Sequence, residues 1–189
     1  MKLSPQVEDI INKYIKDEEL KRLLITHSGC VAEKALAVAR DSGYESEINK
    51  EFLIDAAMLH DIGVVRCNAP SIHCFGTLPY ICHGMAGAEI LRREGLDEAY
   101  ARVCERHTGS GLTASEIREM RLPLPERDFL PETTEEKLSC YADKFYSKSS
   151  HPDKEKSLER VEASIRRHGE AAYERFMKLH ETFKKPSER

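Results

Sequence analysis

The sequence has no surplus of positive charge. Lys and Arg together number 29 against 33 Asp and Glu, a formal net charge of −4. That argues against a protein that grips nucleic acid by bulk charge, although a local basic patch is not excluded. No apolar run approaches the roughly 18 residues that a membrane span needs. The opening MKLSPQVEDI lacks the basic-then-apolar profile of a signal peptide. Among the six cysteines (Cys30, Cys67, Cys74, Cys82, Cys104 and Cys140) there is no C-x-x-C pair. With no export signal these read as reduced thiols, and the expected compartment is the cytoplasm. Internal repeats, low-complexity tracts and alternating strand patterns are missing as well.

What is present is a globular composition, 40% apolar and 33% charged, long enough for one domain with its own core or one domain with a short extension. The apolar spacing is helical almost throughout, so the expected fold class is all-α. It predicts helices over 5–24, 27–41, 50–61, 83–94 and 97–107. Thr113 with Glu116 and Thr133 with Glu136 form capping boxes that open two more, the second running to about residue 148. A last long helix is expected over 153–183. The connections 62–82 and 121–132 are long enough to be binding segments, or ordered surface excursions. The tail KKPSER should fray.

Polar residues on apolar faces carry the functional signal. Helical positions advance by about 100°. With His60 at zero, Leu53, Ala56 and Ala57 fall within about 60° of it, and Glu51, Asp55 and Met58 fall on the far side. His60 therefore points to the core. Asp61, beside Ile54 and Ala57, points partly the same way, with no Lys or Arg one turn away to pair with it. His27 continues the stripe Leu20, Leu23, Leu24 and Val31 if one helix runs through Thr26. His83 shares a face with Gly87 and Ile90, and His107 closes the stripe Tyr100, Val103 and Cys104. After Thr133, Leu138, Tyr141, Ala142 and Phe145 form an apolar stripe, and Lys137, Lys144 and Lys148 a solvent stripe. Asp143 belongs to neither. A single inward histidine or aspartate is more often a hydrogen-bonded core residue than a ligand. Six of them on five helical segments point to metal. Neutral imidazoles and carboxylates suit Fe, Mn, Zn, Co or Ni. Six ligands with one Asp bridging are about what two metals with open water positions require.

His60-Asp61-Ile62-Gly63 within AAMLHDIG, His27 upstream and Asp143 in CYADKF resemble the HD-domain metal-dependent phosphohydrolases. His83 in CHGMAGAEIL and His107 in CERHTGSGL complete the order H…HD…H…H…D of the dinuclear branch. HG-x-x-G before a helix and RHT-x-G after one are similar to the HD proteins that hydrolyse diadenosine tetraphosphate. PETTEEKLSCYADKFYSK resembles a less characterised HDIG-domain branch. The resemblance spans roughly residues 20–150. It implies an HD-domain helical bundle around a buried metal site. His27, His60, Asp61 and Asp143 would hold a first metal, Asp61 would bridge, and His83 and His107 would hold a second. His60 and Asp61 would be the catalytic pair. The cofactors expected are two divalent metal ions, Fe or Mn first, with Zn, Co, Ni or Mg as alternatives.

Weaker candidates for substrate binding are Arg66, His73, Arg106 and Thr108. Each has a plain alternative: a loop salt bridge, a satisfied loop histidine, a solvated arginine and a helix end. Glu33 and Glu105 read as surface charges, and His151, His168 and His180 receive no role. The organisation expected is an HD domain with an N-terminal helix over 1–150. A helical extension over 151–189 would pack on the same domain or on a second subunit in a homodimer. The function expected is a phosphohydrolase that uses a metal-activated water on a phosphoanhydride or phosphoester of a nucleotide or other small phosphorylated compound. Neither a membrane nor a stable nucleic-acid partner is expected. The alternatives are a mixed-valent di-iron oxygenase with the same ligands and a non-catalytic nucleotide sensor.

Overall fold

The computed structural model describes residues 3–149 and 151–185. Residues 186–189 of the expected fraying tail, and residue 150 at the expected domain boundary, lie outside the described residues. Among the described residues nine α-helices form the fold: α1 (Pro5–Tyr14), α2 (Glu18–Ser42), α3 (Lys50–Leu59), α4 (His83–Arg93), α5 (Glu98–Arg106), α6 (Ala114–Glu119), α7 (Thr134–Asp143), α8 (Leu158–Arg166) and α9 (Glu170–Phe183). A two-residue antiparallel ribbon, β1 (Asn68–Ala69) with β2 (Cys74–Phe75), interrupts the long connection after α3. The all-α expectation holds. The ribbon is too short to show as alternation in the sequence.

The spine is α2, 25 residues and about 37 Å long. Its first half buries Leu20 and Leu24 in an apolar core shared with α1, α4 and the end of α3. Its second half buries Val31, Ala35 and Ala39 in another core, built with α7, α8 and α9. His27 lies between the two halves and is fully buried.

Several boundaries differ from the periodicity. The expected helix 5–24 breaks because Ile15 is extended and the Asp17 side chain accepts from the Leu20 amide, starting a new helix that absorbs 27–41. The expected helix to residue 148 stops at Asp143, capped at Lys144. The expected helix 153–183 splits at Gly169, whose φ of 113° is left-handed backbone that a side chain resists. Asp55 and Met58, placed on the solvent side by helical angle, are buried because α1 packs over that face of α3; the Ser4 amide donates to Asp55 Oδ1 at 3.3 Å. Glu105 is not a surface charge: it is 5% exposed, with Arg92 and Arg127 each 2.8 Å from its carboxylate.

Two contacts fix the frame of the site. The turn Ile62–Arg66 runs so close to α4 that a Cβ on Gly63 would lie 2.0 Å from the His83 carbonyl oxygen and 2.2 Å from the Gly87 nitrogen. Glu136 opens α7 through its capping box and is itself buried, with Arg102 at 3.0 Å and Arg106 at 2.9 Å tying it to α5. Burial raises the Glu136 pKa, but the backbone amide of Glu132 and the two arginines lower it further, and the net shift is downward.

Gly63→Ala should destabilise by about 3 kcal/mol or more, because both clashing atoms are backbone and neither can swing aside. Urea unfolding reads this directly, and an unchanged midpoint would contradict the contact. The Glu136 contribution is fully present above the ordinary carboxylate pKa of about 4.3 and is lost as pH falls through its depressed folded value. Wild type should therefore lose stability over that acid window more steeply than Glu136→Gln.

Candidate metal centre

Five segments deliver six ligand-type side chains to one place. His27 comes from the middle of α2, and His60 and Asp61 from the end of α3. His83 is the first residue of α4, His107 caps α5, and Asp143 is the last residue of α7. All six are buried. They form two groups sharing Asp61. His27, His60, Asp61 and Asp143 make one; Asp61, His83 and His107 make the other. Within each group the candidate ligand atoms lie within 4.8 Å of one another.

The Asp61 carboxylate divides its oxygens between the groups. Oδ2 is 2.9 Å from His60 Nε2 and 3.3 Å from His27 Nε2. Oδ1 is 3.5 Å from His83 Nε2 and 3.4 Å from His107 Nε2. Asp143 Oδ1 lies 3.1 Å from His27 Nε2 and 3.4 Å from His60 Nε2.

The imidazole protons settle what the cluster fits. Nδ1 of His60, His83 and His107 lies 2.6, 2.7 and 2.7 Å from the carbonyls of Ala57, Tyr80 and Cys104. A carbonyl only accepts, so each Nδ1 carries its proton and donates. In its neutral form each ring presents a bare lone pair at Nε2. His83 and His107 aim theirs at each other across 3.0 Å. Two facing lone pairs repel, and a second proton is disfavoured. Burial, followed by the His107 charge, lowers the His83 pKa to about 3, and burial lowers His107 as well. A cation between the rings and Asp61 removes the conflict. In the other group, burial lowers His60, but the Asp61 and Asp143 carboxylates raise it to about 9. A proton there occupies the place of a cation, so metal binding should release it. Burial would raise both Asp61 and Asp143. For Asp61 the neighbouring His60 and Lys148 charges, and for Asp143 those of Lys144 and Lys148, instead hold the carboxylate well below its usual range.

Two lysines expected on the solvent stripe belong to the site. Lys148 Nζ is 2.7 Å from Asp61 Oδ2, and Lys144 Nζ is 2.6 Å from Asp143 Oδ2. The stripe assumed a helix to residue 148; because α7 ends at Asp143, the following turn brings both side chains back inward. Beside the cluster lies a cavity of about 350 Å³, with His83, His107, Asp143, Lys144 and Lys148 at its polar end. Ile81, Leu112 and Leu122 contribute apolar wall, and His168 and Arg175 reach it from the C-terminal part.

Of the weaker candidates, Thr108 lines this cavity. The other three are placed elsewhere. Arg66 pairs with Glu89 at 2.8 Å. His73 is exposed, in left-handed backbone, beside a separate surface groove. Arg106 is turned to Glu132 and Glu136. Tyr80, stacked on His83 with ring centroids 4.8 Å apart, was not among the candidates; it sits in a stretch without helical period, where no face could be assigned.

An HD domain family match covers residues 24–148. The chain is similar to two tRNA (cytidine(56)-2'-O)-methyltransferases. That of Thermoplasma volcanium is 34% identical over 173 residues, 91% of this chain and 44% of the relative. That of Picrophilus torridus is 34% identical over 140 residues, 74% of this chain and 36% of the relative. An uncharacterised protein of Methanocaldococcus jannaschii is 39% identical over 123 residues, 64% of each. The chain thus spans less than half the length of the two methyltransferases. Among solved structures, the L. monocytogenes phosphodiesterase PgpH HD domain aligns with a TM-score of 0.55 at 15% identity, covering 95% of both chains. The same domain in complex with cyclic-di-AMP gives 0.54 at 16%, covering 95% of this chain and 93% of the other. At such identities the likeness is one of fold.

Divalent metal at about a hundredfold its Kd should add about 2.7 kcal/mol per site, or roughly 5–10 °C in melting temperature for a chain of this size. Scanning calorimetry of protein stripped with a chelator and then reloaded reads the shift. An unchanged melting temperature with every divalent metal would contradict the assignment.

Proposed function

The chain belongs to the HD-domain family, and from that premise we propose that it is a metal-dependent phosphohydrolase acting on a nucleotide or another small phosphorylated compound. The observation that carries this reading is the facing pair of buried lone pairs on His83 and His107, joined through Asp61 to a second ligand group. His27, His60, Asp61 and Asp143 would hold one divalent ion, and Asp61, His83 and His107 another, with Fe or Mn first among the metals. Bound there, such ions supply Lewis acidity that activates water and takes up charge on phosphate oxygens.

The protein's own groups do the rest. The three Nδ1–carbonyl bonds fix the ring orientations. Asp61 stays ionised and faces both groups. Lys144 and Lys148 bring positive charge to the polar end of the cavity, where a phosphate presented to the centre would sit. The apolar wall excludes water from the remainder of the substrate. A phosphoanhydride such as a dinucleoside polyphosphate is the first class to test, and a phosphate mono- or diester the next. The cyclic-di-AMP held by the PgpH domain supports a nucleotide as the ligand class. The methyltransferase activity named for two relatives we assign to the part of those proteins that this chain does not span, because the residues gathered here are cation ligands. The reading places the protein in the cytoplasm, with residues 151–189 as an extension of the same domain and no stable nucleic-acid partner.

Purified protein given Mn or Fe should release phosphate from such substrates. Chelation should abolish the activity, and Asp61→Ala should lower kcat by roughly a thousandfold or more. Activity unchanged in Asp61→Ala would sink the reading. Full activity without oxygen separates it from a di-iron oxygenase.

A further inference from the structure

The cavity at the metal centre has a second branch. A space of about 180 Å³ shares Gly109, Asp143, Lys144, Lys148 and His168 with the larger cavity and continues past them to Lys156, Ser164 and Ile165. Three lysines, Lys144, Lys148 and Lys156, therefore line this branch. The two carboxylates near them, Asp61 and Asp143, are themselves ligand residues. Lys156 Nζ donates to the Lys144 carbonyl at 2.9 Å and, among the described residues, forms no ion pair with a carboxylate. One of its three donors is used, so two remain for a ligand in the branch. With three lysines against the two carboxylates, the branch carries surplus positive charge. The larger cavity offers apolar side chains instead, among them Ile81, Leu112 and Leu122. A substrate filling both branches has an apolar part on one side of the centre and further negative charge on the other.

We infer that Lys156 is a specificity-determining residue that takes a second phosphate of the substrate, beyond the one presented to the metal centre. The inference rests on the phosphohydrolase reading and narrows it: nucleoside di- and triphosphates are preferred over monophosphate esters. Oxygens of the second phosphate accept from Lys156 and from the neighbouring Lys144 and Lys148. A monoester leaves this branch to water.

The test compares adenosine triphosphate, diphosphate and monophosphate as substrates of the metal-loaded chain. It also measures binding of imidodiphosphate, whose P–N–P bridge resists hydrolysis, and of inorganic phosphate by calorimetry. Lys156→Met keeps the aliphatic stem and removes the charge. It should raise KM for the di- and triphosphate and weaken imidodiphosphate about tenfold. Its kcat, metal content, monophosphate activity and inorganic phosphate binding should stay within about twofold of wild type. Ser164→Glu, which puts a negative charge in the branch and leaves Lys156 in place, should act in the same direction. Equal losses on all substrates with a lowered melting temperature would show that Lys156 only caps α7, and would overturn the inference. So would an unchanged preference in both variants. If wild type hydrolyses none of these compounds with any metal, the phosphohydrolase reading falls. The subsite is then judged by calorimetry alone: imidodiphosphate binding weakened in both variants supports it, and no binding removes it.

Discussion

A buried carboxylate sets the terms for this fold. Asp61 is 1% exposed, between the apolar core that α2 shares with α1 and α4 and the one it shares with α7 and α9. Taking an ion out of water costs several kcal/mol even after the protein relaxes. The cost is acceptable only if positive charge or strong donors surround the ion. The charges of His60 and Lys148 supply this, and His27, His83 and His107 complete the ring of imidazoles around it from α2, α4 and α5. Each helix is held by its own apolar stripe, and the residue it contributes to Asp61 sits where two stripes meet.

The close approach at Gly63 makes part of this arrangement rigid. His60 and Asp61 precede the turn, and His83 begins the helix against which the turn is pressed. Three of the six ligand-type residues are thus tied through backbone contacts. The C-terminal segment is equally bound to the site. Arg175 of α9 pairs with Glu116 of α6 at 2.7 Å, and Ser110 donates to the Ala172 carbonyl at 2.6 Å. His168, Ala172 and Arg175 form cavity wall, so what reads in sequence as an extension closes the space beside the His/Asp cluster.

The helical class and the six ligand-type residues were legible because both depend on local rules: a period of 3.6 and a polar residue standing inside an apolar stripe. His27 is the instructive case. Its place on the stripe required one helix through Thr26, and α2 runs through it. Lys144 and Lys148 were misplaced by the same rule, since an angle on a helix loses meaning once the helix has ended. No stripe reports where α7 stops. Arg106 and Glu105 were obscured for another reason. Their positions depend on partners on other elements, Glu132 and Glu136 for one, Arg92 and Arg127 for the other. Long-range charge pairing leaves no periodic trace. Tyr80 and the ribbon lie in a connection whose path is decided by packing.

The bonds from imidazole Nδ1 to backbone carbonyl bear on how such a protein changes over generations. Ala57 and Cys104 lie in the last turns of α3 and α5, where carbonyls run out of amide partners. His60 and His107 close those helix ends with the same ring that offers a lone pair to the centre. A lineage that no longer needed the chemistry would still forfeit helix-end hydrogen bonds on replacing them. Loss of His60 or His107 is therefore selected against by folding itself, and the two can outlast any reaction they serve.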